Sequence, residues 1–308
     1  MFSKHPTLIN RKTRIVIQGI LGRHGHQHAL SCLKYARGKD MFVFGTHPLK
    51  SPEYCIGLFT FLQIEWAVRE AGVNASLIFV PASNVLYAIK EAVKNALSFL
   101  ICVAEGIRTK DALLIRNVKI EGKTKPIILG PNCPGMVVPN CLKVGIMPVK
   151  IFGAGEVIII SRSGTLTYEV VSQLSEMGIG QAVAVGIGGD MMRGLDFRGA
   201  SLWLGVCNKP SALTILISEI GGAEESEVAS LLWAVEVGPI MILLAGKGAP
   251  EGKRMGHAGA LVSSQDERVV RKARLLRSKG LIVISSLLVL GRAIKEARAL
   301  ASSNSLGL

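Results

Sequence analysis

The run Arg14-Ile15-Val16-Ile17-Gln18-Gly19-Ile20-Leu21-Gly22-Arg23-His24-Gly25 holds the pattern that decides the fold. Five residues rich in β-branched apolar side chains read as a buried strand, three glycines at three-residue spacing break it, and residues 23–37 take up helical period. A strand that turns directly into a helix is the first half of a crossover unit. The alternation then continues. Strands are expected at 14–18, 41–45, 76–80, 99–103 and 126–129, with helices near 23–37, 59–72, 84–96 and 109–120. Gly130-Pro131-Asn132-Cys133-Pro134-Gly135 follows as a run of breakers, which reads as a shaped loop at a strand's C-terminal end, and 145–155 reads as a connector. Beyond it the cycle restarts, with strands at 156–161, 181–186, 213–218, 239–244 and 281–285 and helices at 164–177, 195–205, 223–237, 266–279 and 286–300.

The expected fold class is therefore α/β, a Rossmann-like domain over 1–148 followed by a flavodoxin-like domain over 149–308. One stretch breaks the rhythm: residues 245–264 carry five glycines and Pro250, and loops of that length in a compact domain are usually functional. The 308 residues are 49% hydrophobic, which excludes disorder, a disulfide miniprotein and a fibrous repeat. The longest apolar runs, 96–104 and 280–291, fall short of the roughly 20 residues a spanning helix needs. Met1-Phe2-Ser3-Lys4-His5-Pro6 has no apolar leader segment, so a cytoplasmic protein is expected. Cys32, Cys55, Cys102, Cys133, Cys141 and Cys207 are widely spaced without a C-x-x-C pair, as reduced core thiols would be.

The formal net charge of +14 sits at two poles: nine Lys/Arg and one Asp in residues 1–50, nine Lys/Arg and three acids in 266–308. Aromatics are only 5% of the chain and no nucleic-acid motif is present, so nucleic acid is not the expected partner. A polyanionic small ligand, an acidic partner or compositional drift remain as explanations.

The turn Gly19-Ile20-Leu21-Gly22-Arg23-His24-Gly25 opens a helix, where free amides and the helix dipole receive phosphate. Its G-x-x-G-x-x-G spacing is not the dinucleotide fingerprint, and the second strand ends Phe44-Gly45-Thr46 without the acid that would hold a ribose, so NAD is not expected. His24, His26 and His28 do not make a metal cluster, since in a helix only 24 and 28 share a face. Ser161-Arg162-Ser163-Gly164-Thr165-Leu166-Thr167 is hydroxyl-rich where a strand gives way to a helix, a second anion site, although an N-cap alone would need one such residue. Gly186-Ile187-Gly188-Gly189-Asp190 is a glycine-rich turn at the next strand's end. Glu219 follows an apolar strand and precedes Gly221-Gly222; it reads as an oriented carboxylate or as a helix-capping charge. His257, the sole histidine after residue 47, lies in Arg254-Met255-Gly256-His257-Ala258-Gly259-Ala260, where small neighbours leave the ring open to take up and pass on a bulky group.

Gly130 to Gly135, Ser161 to Glu169, Gly186 to Asp190, Glu219-Ile220-Gly221-Gly222 and Gly252 to Ala260 occur in the order and spacing of the α subunits of succinyl-CoA synthetase (succinate–CoA ligase), and the chain resembles that family from about residue 7 to 300. The resemblance implies an N-terminal CoA-binding domain, a ligase domain, and an acid–thiol ligase of the citric acid cycle that works through a phosphohistidine at His257 with Glu219 beside it. It implies CoA contacts from Leu21, Gly22, Arg23, His24, Lys50, Val103, Ala104 and Glu105. Tyr168 would meet the carboxylate substrate, and Ser163, Gly164 and Thr165 would receive phosphate. An ATP-grasp β subunit would supply the nucleotide site and its Mg²⁺, in a heterodimer or heterotetramer, in keeping with the absence of a Walker A motif from this chain. Leu21 stands where the family usually has Thr, Pro48-Leu49-Lys50-Ser51-Pro52 replaces a Pro-Gly-Lys-Gly-Gly loop, Met191 replaces a Pro, and the segment after Ala260 is shorter. A malate– or other acid–CoA ligase α subunit and a CoA-binding regulatory module are the alternatives.

Overall fold

The computed structural model describes residues 12–36, 38–48, 53–120, 125–204, 213–219, 228, 238–245 and 266–304, with backbone alone at 219, 266–269 and 298–304. Lys50, His257, the glycine-rich stretch 246–264 and, apart from Val228, the helix expected at 223–237 lie outside the described residues. The chain divides into two compact units, Met1–Val149 with Met192–Leu195, and Lys150–Met191 with Asp196–Leu308.

In the first unit, β1 (Ile15–Gln18), β5 (Ala75–Ile78) and β6 (Phe99–Cys102) are buried along their whole length. Their continuous apolar runs are what a parallel sheet covered on both faces requires. With β2 (Phe42–Thr46), β3 (Glu53–Cys55), β4 (Leu58–Phe61) and β7 (Ile127–Leu129) they form a seven-stranded sheet in the order β3-β4-β2-β1-β5-β6-β7. All pairs are parallel except β3–β4. The chain runs outward from β1 to one side and returns at β5 on the other, so the direction of travel reverses between these neighbours. At such a switch point the two following loops diverge and leave a crevice at the C-terminal strand ends, the usual ligand position in open α/β sheets.

The helices of this unit are α1 (Arg23–Lys34), α2 (Gly38–Met41), α3 (Ile64–Ala71), α4 (Val85–Lys94) and α5 (Thr109–Arg116). Helix α4 buries Val85, Ala88, Ile89, Ala92 and Val93, the i, i+3, i+4, i+7, i+8 stripe of an amphipathic helix. Burial of each larger apolar side chain is worth roughly 1.5–3 kcal/mol. A polar brace ties these elements together: Gln18 Nε2 donates to Ala88 O and to Glu91 Oε2, Ser76 donates to Gln18 Oε1, and the Ile64 amide that opens α3 donates to Glu91 Oε1 at 2.8 Å. A hairpin, β8 (Gly135–Val138) with β9 (Leu142–Gly145), packs against α1, where Lys143 Nζ donates to Ser31 and the Cys32 thiol to Gly145 O.

The helix expected over 59–72 begins only at Ile64, because residues 58–61 are strand β4 paired with β3. The turn between them is Ile56-Gly57, both at positive φ (49° and 83°), a two-residue hairpin geometry. Its usual signal is Asn-Gly or Asp-Gly, and a β-branched residue in that position hides it. The β8–β9 hairpin was also unforeseen, although Pro139-Asn140, with Asn140 at φ 57°, marks its turn.

In the second unit β10 (Ala154–Ser161), β11 (Gln181–Gly186), β12 (Leu213–Glu219), β13 (Ile240–Ala245) and β14 (Ile282–Ile284) run parallel in the order β14-β13-β12-β10-β11. This is the flavodoxin-like order, with its switch point between β10 and β12. Helices α6 (Gly164–Glu176), α7 (Phe197–Trp203), α8 (Asp266–Ser278) and α9 (Leu290–Asn304) accompany the strands. The core joins Ile159, Val170, Val171, Leu174, Ile215, Ile217, Met241, Leu243, Ile294 and Ala297. The expected helix at 286–300 divides into a short 3₁₀ turn, Leu287–Val289, and α9. The five described cysteines are buried and form no disulfide, as core thiols should. No helix among the described residues is long and apolar enough to cross a membrane.

Candidate active site

Both switch points carry a turn suited to an anion. In the first unit, Gly19 takes φ +83° and its N–H donates to Thr46 O across the end of β2; the Gly22 N–H donates back to Gly19 O. A Cβ on Gly25 would stand 2.2 Å from Gly19 O, so α1 lies against the turn at a distance only glycine permits. Helix α1 opens at Gly22 with no side-chain cap and no acid in its first turn. The amides of Arg23, His24 and Gly25 are thus orphan donors at the positive end of a 12-residue helix. Leu21 is half-buried, while Gly22, Arg23 and His24 are exposed around this end.

Val103, Ala104 and Glu105 follow β6 at the same C-terminal edge, two strands from β1. Val103 and Ala104 are half-buried and Glu105 is exposed; the Ala104 carbonyl accepts the Asn132 amide at 2.8 Å. The fold therefore brings Leu21–His24 and Val103–Glu105 to one sheet edge, with Phe79 at the end of β5 between them. His28 stacks on Phe79 with ring centroids 5.8 Å apart, and burial, then the Lys143 and His24 charges, hold its pKa below the usual imidazole value. His26 Nδ1 lies 3.3 Å from the Cys55 sulfur, whose pKa burial and Glu53 push up, so this thiol is not activated.

In the second unit Ser161 ends β10 and Ser163 is the N-cap of α6. Most of the hydroxyls expected to bind an anion are spent on the turn itself. Ser161 Oγ accepts the Ser163 amide and donates to its carbonyl, Ser163 Oγ accepts the Leu166 amide, and the Thr167 hydroxyl donates to Ser163 O. What remains open are the first two helical amides, Gly164 and Thr165, and the exposed Thr165 hydroxyl. Tyr168, half-buried, lies one turn further on. The Arg162 amide donates to Ile217 O at 3.0 Å, which fixes this turn between the ends of β10 and β12. Glu219, two residues beyond Ile217, is the last residue of β12. On the other side, the Ile187 amide donates to Ser161 O, so the turn Gly186 to Asp190 borders the same end of β10.

Two family models match the chain: a CoA binding domain over residues 10–106 and a CoA-ligase domain over residues 160–282. The Aquifex aeolicus succinate–CoA ligase [ADP-forming] subunit alpha is 39% identical over 94% of this chain and 93% of its own length. The chain belongs to the succinate–CoA ligase α-subunit family. The Staphylococcus aureus protein of the same name is 37% identical over 94% of both chains. Among solved structures, an ATP citrate lyase from Methanothrix soehngenii, in complex with citrate and coenzyme A, superposes with TM-score 0.82 at 19% identity over 98% of this chain. The chain spans about half of that longer protein, 52%. A Ca. Korarchaeum cryptofilum acetyl-coenzyme A synthetase superposes with TM-score 0.69 over 94% of this chain and 61% of its own. These last two likenesses concern the fold.

The α1 turn falls within the CoA binding match, and the α6 turn, Glu219 and His257 fall within the CoA-ligase match. Three buried cations among the described residues, Lys143, Arg162 and Arg193, escaped assignment at the level of sequence. Lys143 lies in the buried strand β9, with burial holding its ammonium below the usual lysine value. Arg162 is 5% exposed at the switch point itself. The available signal was a charge set directly inside or against an apolar run.

Proposed function

We propose that this chain is the α subunit of an NDP-forming succinate–CoA ligase, active in the cytoplasm with an ATP-grasp β subunit. Supporting this reading above all is the pair of uncapped or half-open helix N-termini, α1 and α6, each seated at its own unit's switch point in a chain of this family. A ligase that handles CoA phosphates and a transferable phosphoryl group needs two such places. The α1 turn, Val103 to Glu105 and Lys50 hold CoA. The α6 turn holds phosphate, and Tyr168 meets the acid.

In the thioester-consuming direction, a phosphate oxygen attacks the succinyl carbonyl carbon and the C–S bond breaks, giving succinyl phosphate and CoA thiol. An imidazole nitrogen of His257 then attacks phosphorus, and succinate leaves as a carboxylate. The phosphohistidine finally gives its phosphoryl group to NDP bound with Mg²⁺ on the β subunit, which regenerates His257. Division into nucleophilic steps replaces one three-component transfer with displacements at a single centre each. Among the described residues no group of three or more His, Cys, Asp or Glu side chains is placed to hold a metal ion.

The test is the chain with its β subunit, incubated with γ-labelled NTP and assayed against a panel of acids. Label is expected on His257 and turnover with succinate above malate, and His257→Asn should lose both label and turnover while keeping its melting temperature. Label on another residue would overturn the assignment of His257, and CoA binding without any labelling would favour the regulatory module.

A further inference from the structure

We propose that the guanidinium of Arg162 is an anion-binding group of the ligase domain that grips inorganic phosphate, and the phosphoryl group derived from it, at the N-terminus of α6. The proposal rests on reading that N-terminus as the phosphate site. Arg162 is 5% exposed, and its Nε has no hydrogen-bond partner. A guanidinium stays charged at any physiological pH, and burying a charge is costly unless an anion and hydrogen bonds compensate it. Among the described residues no carboxylate pairs with it.

The position of Arg162 supplies the ligand's identity. Its own amide is tied to Ile217 O, which holds the residue at the mouth between β10 and β12, one residue before the cap of α6. Beside it are the open Gly164 and Thr165 amides and the Thr165 hydroxyl, at the positive end of a 13-residue helix without an acid in its first turn. Amides, a hydroxyl and a planar fork of N–H donors form a donor set for a tetrahedral oxyanion of charge near −2; a monocarboxylate would leave part of it unused. Without the arginine, the helix end alone offers about half a positive charge.

The experiment uses the complex with the β subunit in the direction that consumes succinyl-CoA, phosphate and NDP. Arg162→Met keeps the bulk and removes the charge; Arg162→Lys keeps the charge and removes the fork. The expected result for Arg162→Met is a KM for phosphate raised tenfold or more, with the KM for CoA within twofold of the parent. Arg162→Lys should fall between. Melting without ligand should be no lower in Arg162→Met than in the parent, since an uncompensated buried charge has gone, and the rise in melting temperature that phosphate produces in the parent should disappear. An unchanged phosphate KM in both variants would overturn the proposal, as would an Arg162→Met protein that melts lower yet keeps its response to phosphate. Should Arg162→Met fail to assemble, the phosphate KM of Arg162→Lys decides. If the parent complex itself shows neither phosphate-dependent turnover nor a phosphate response in melting, the reading of the site falls; if the parent shows both and the variants match it, only the role of Arg162 falls.

Discussion

At the scale of single residues, the proposed chemistry of this chain turns on Glu219 and His257. Glu219 ends β12 beside the α6 turn. Its proposed role is to hold one tautomer of His257 and to balance the imidazolium as phosphoryl transfer begins. Glu219→Gln keeps the shape and loses the charge, so labelling of His257 by NTP should slow by about 10²-fold or more while CoA binding stays the same. Rapid-quench labelling measures this, and an unchanged rate would leave Glu219 as a capping charge only. Glu91 contributes to stability instead. Burial raises its pKa, outweighing the lowering by the Ile64 and Gln18 donors. The folded state therefore binds more protons than the unfolded one above the ordinary glutamate value, and this group's contribution to stability falls as pH rises from there through the raised folded pKa. Glu91→Gln should flatten that part of the stability–pH curve, as denaturant titrations between pH 4.5 and 7 would record. Candidates of the first kind were visible in the sequence because a histidine among glycines, or a glutamate after an apolar strand, stands out from the core pattern. Arg162 and Lys143 were not, since a lone cation beside apolar residues looks the same whether its side chain reaches water or is buried.

At the scale of elements, glycine position separates a site from ordinary helix. Gly25 sits where a Cβ would be 2.2 Å from Gly19 O and 3.3 Å from Phe79 Cβ. Gly25→Ala must push α1 off the turn, with an expected cost of about 1–3 kcal/mol and weakened CoA binding, because the α1 amides move with the helix. Gly291, inside α9, is the contrast: its nearest obstacle is Met177 Sδ at 3.4 Å. Gly291→Ala should stabilise by about 0.5–1 kcal/mol through helix propensity and leave catalysis alone. Paired melting curves and CoA titrations read both. The strand–helix alternation was legible because buried parallel strands are unbroken apolar runs. The two hairpins were not: Ile56 at φ +49° defies its own preference, and the register that makes Leu58–Phe61 a strand is set by β2 and β3, distant in sequence or hidden behind that turn.

At the scale of the whole molecule, the chain repeats one arrangement twice: a sheet whose order reverses beside its founding strand, and a helix N-terminus at the reversal. The proposed function divides the labour between the two units, with CoA at the first, which the CoA binding domain matches, and phosphoryl chemistry at the second, which the CoA-ligase domain matches. The basic excess is consistent with that plan, since residues 1–50 carry nine Lys/Arg and one Asp, and Arg23, Lys34 and Lys39 are exposed there. CoA presents a pyrophosphate and a 3′-phosphate, so a cationic region raises its local concentration and adds charge-assisted hydrogen bonds at close range. Lys50 is the cation kept where the sequence Pro48 to Pro52 otherwise departs from the family's glycines. Lys50→Ala should raise the KM for CoA severalfold and change neither the NTP dependence nor the rate of His257 labelling, because in the proposed cycle nucleotide arrives through the partner subunit without CoA. Adding salt should weaken CoA binding in the parent more than in Lys50→Ala, since one screened contact has been removed. CoA titrations of both proteins with the β subunit, at low and at physiological salt, measure the two effects together. Equal affinities at both salt levels would mean that the basic N-terminal region serves another partner, and the assignment of CoA recognition would then rest on the α1 turn alone.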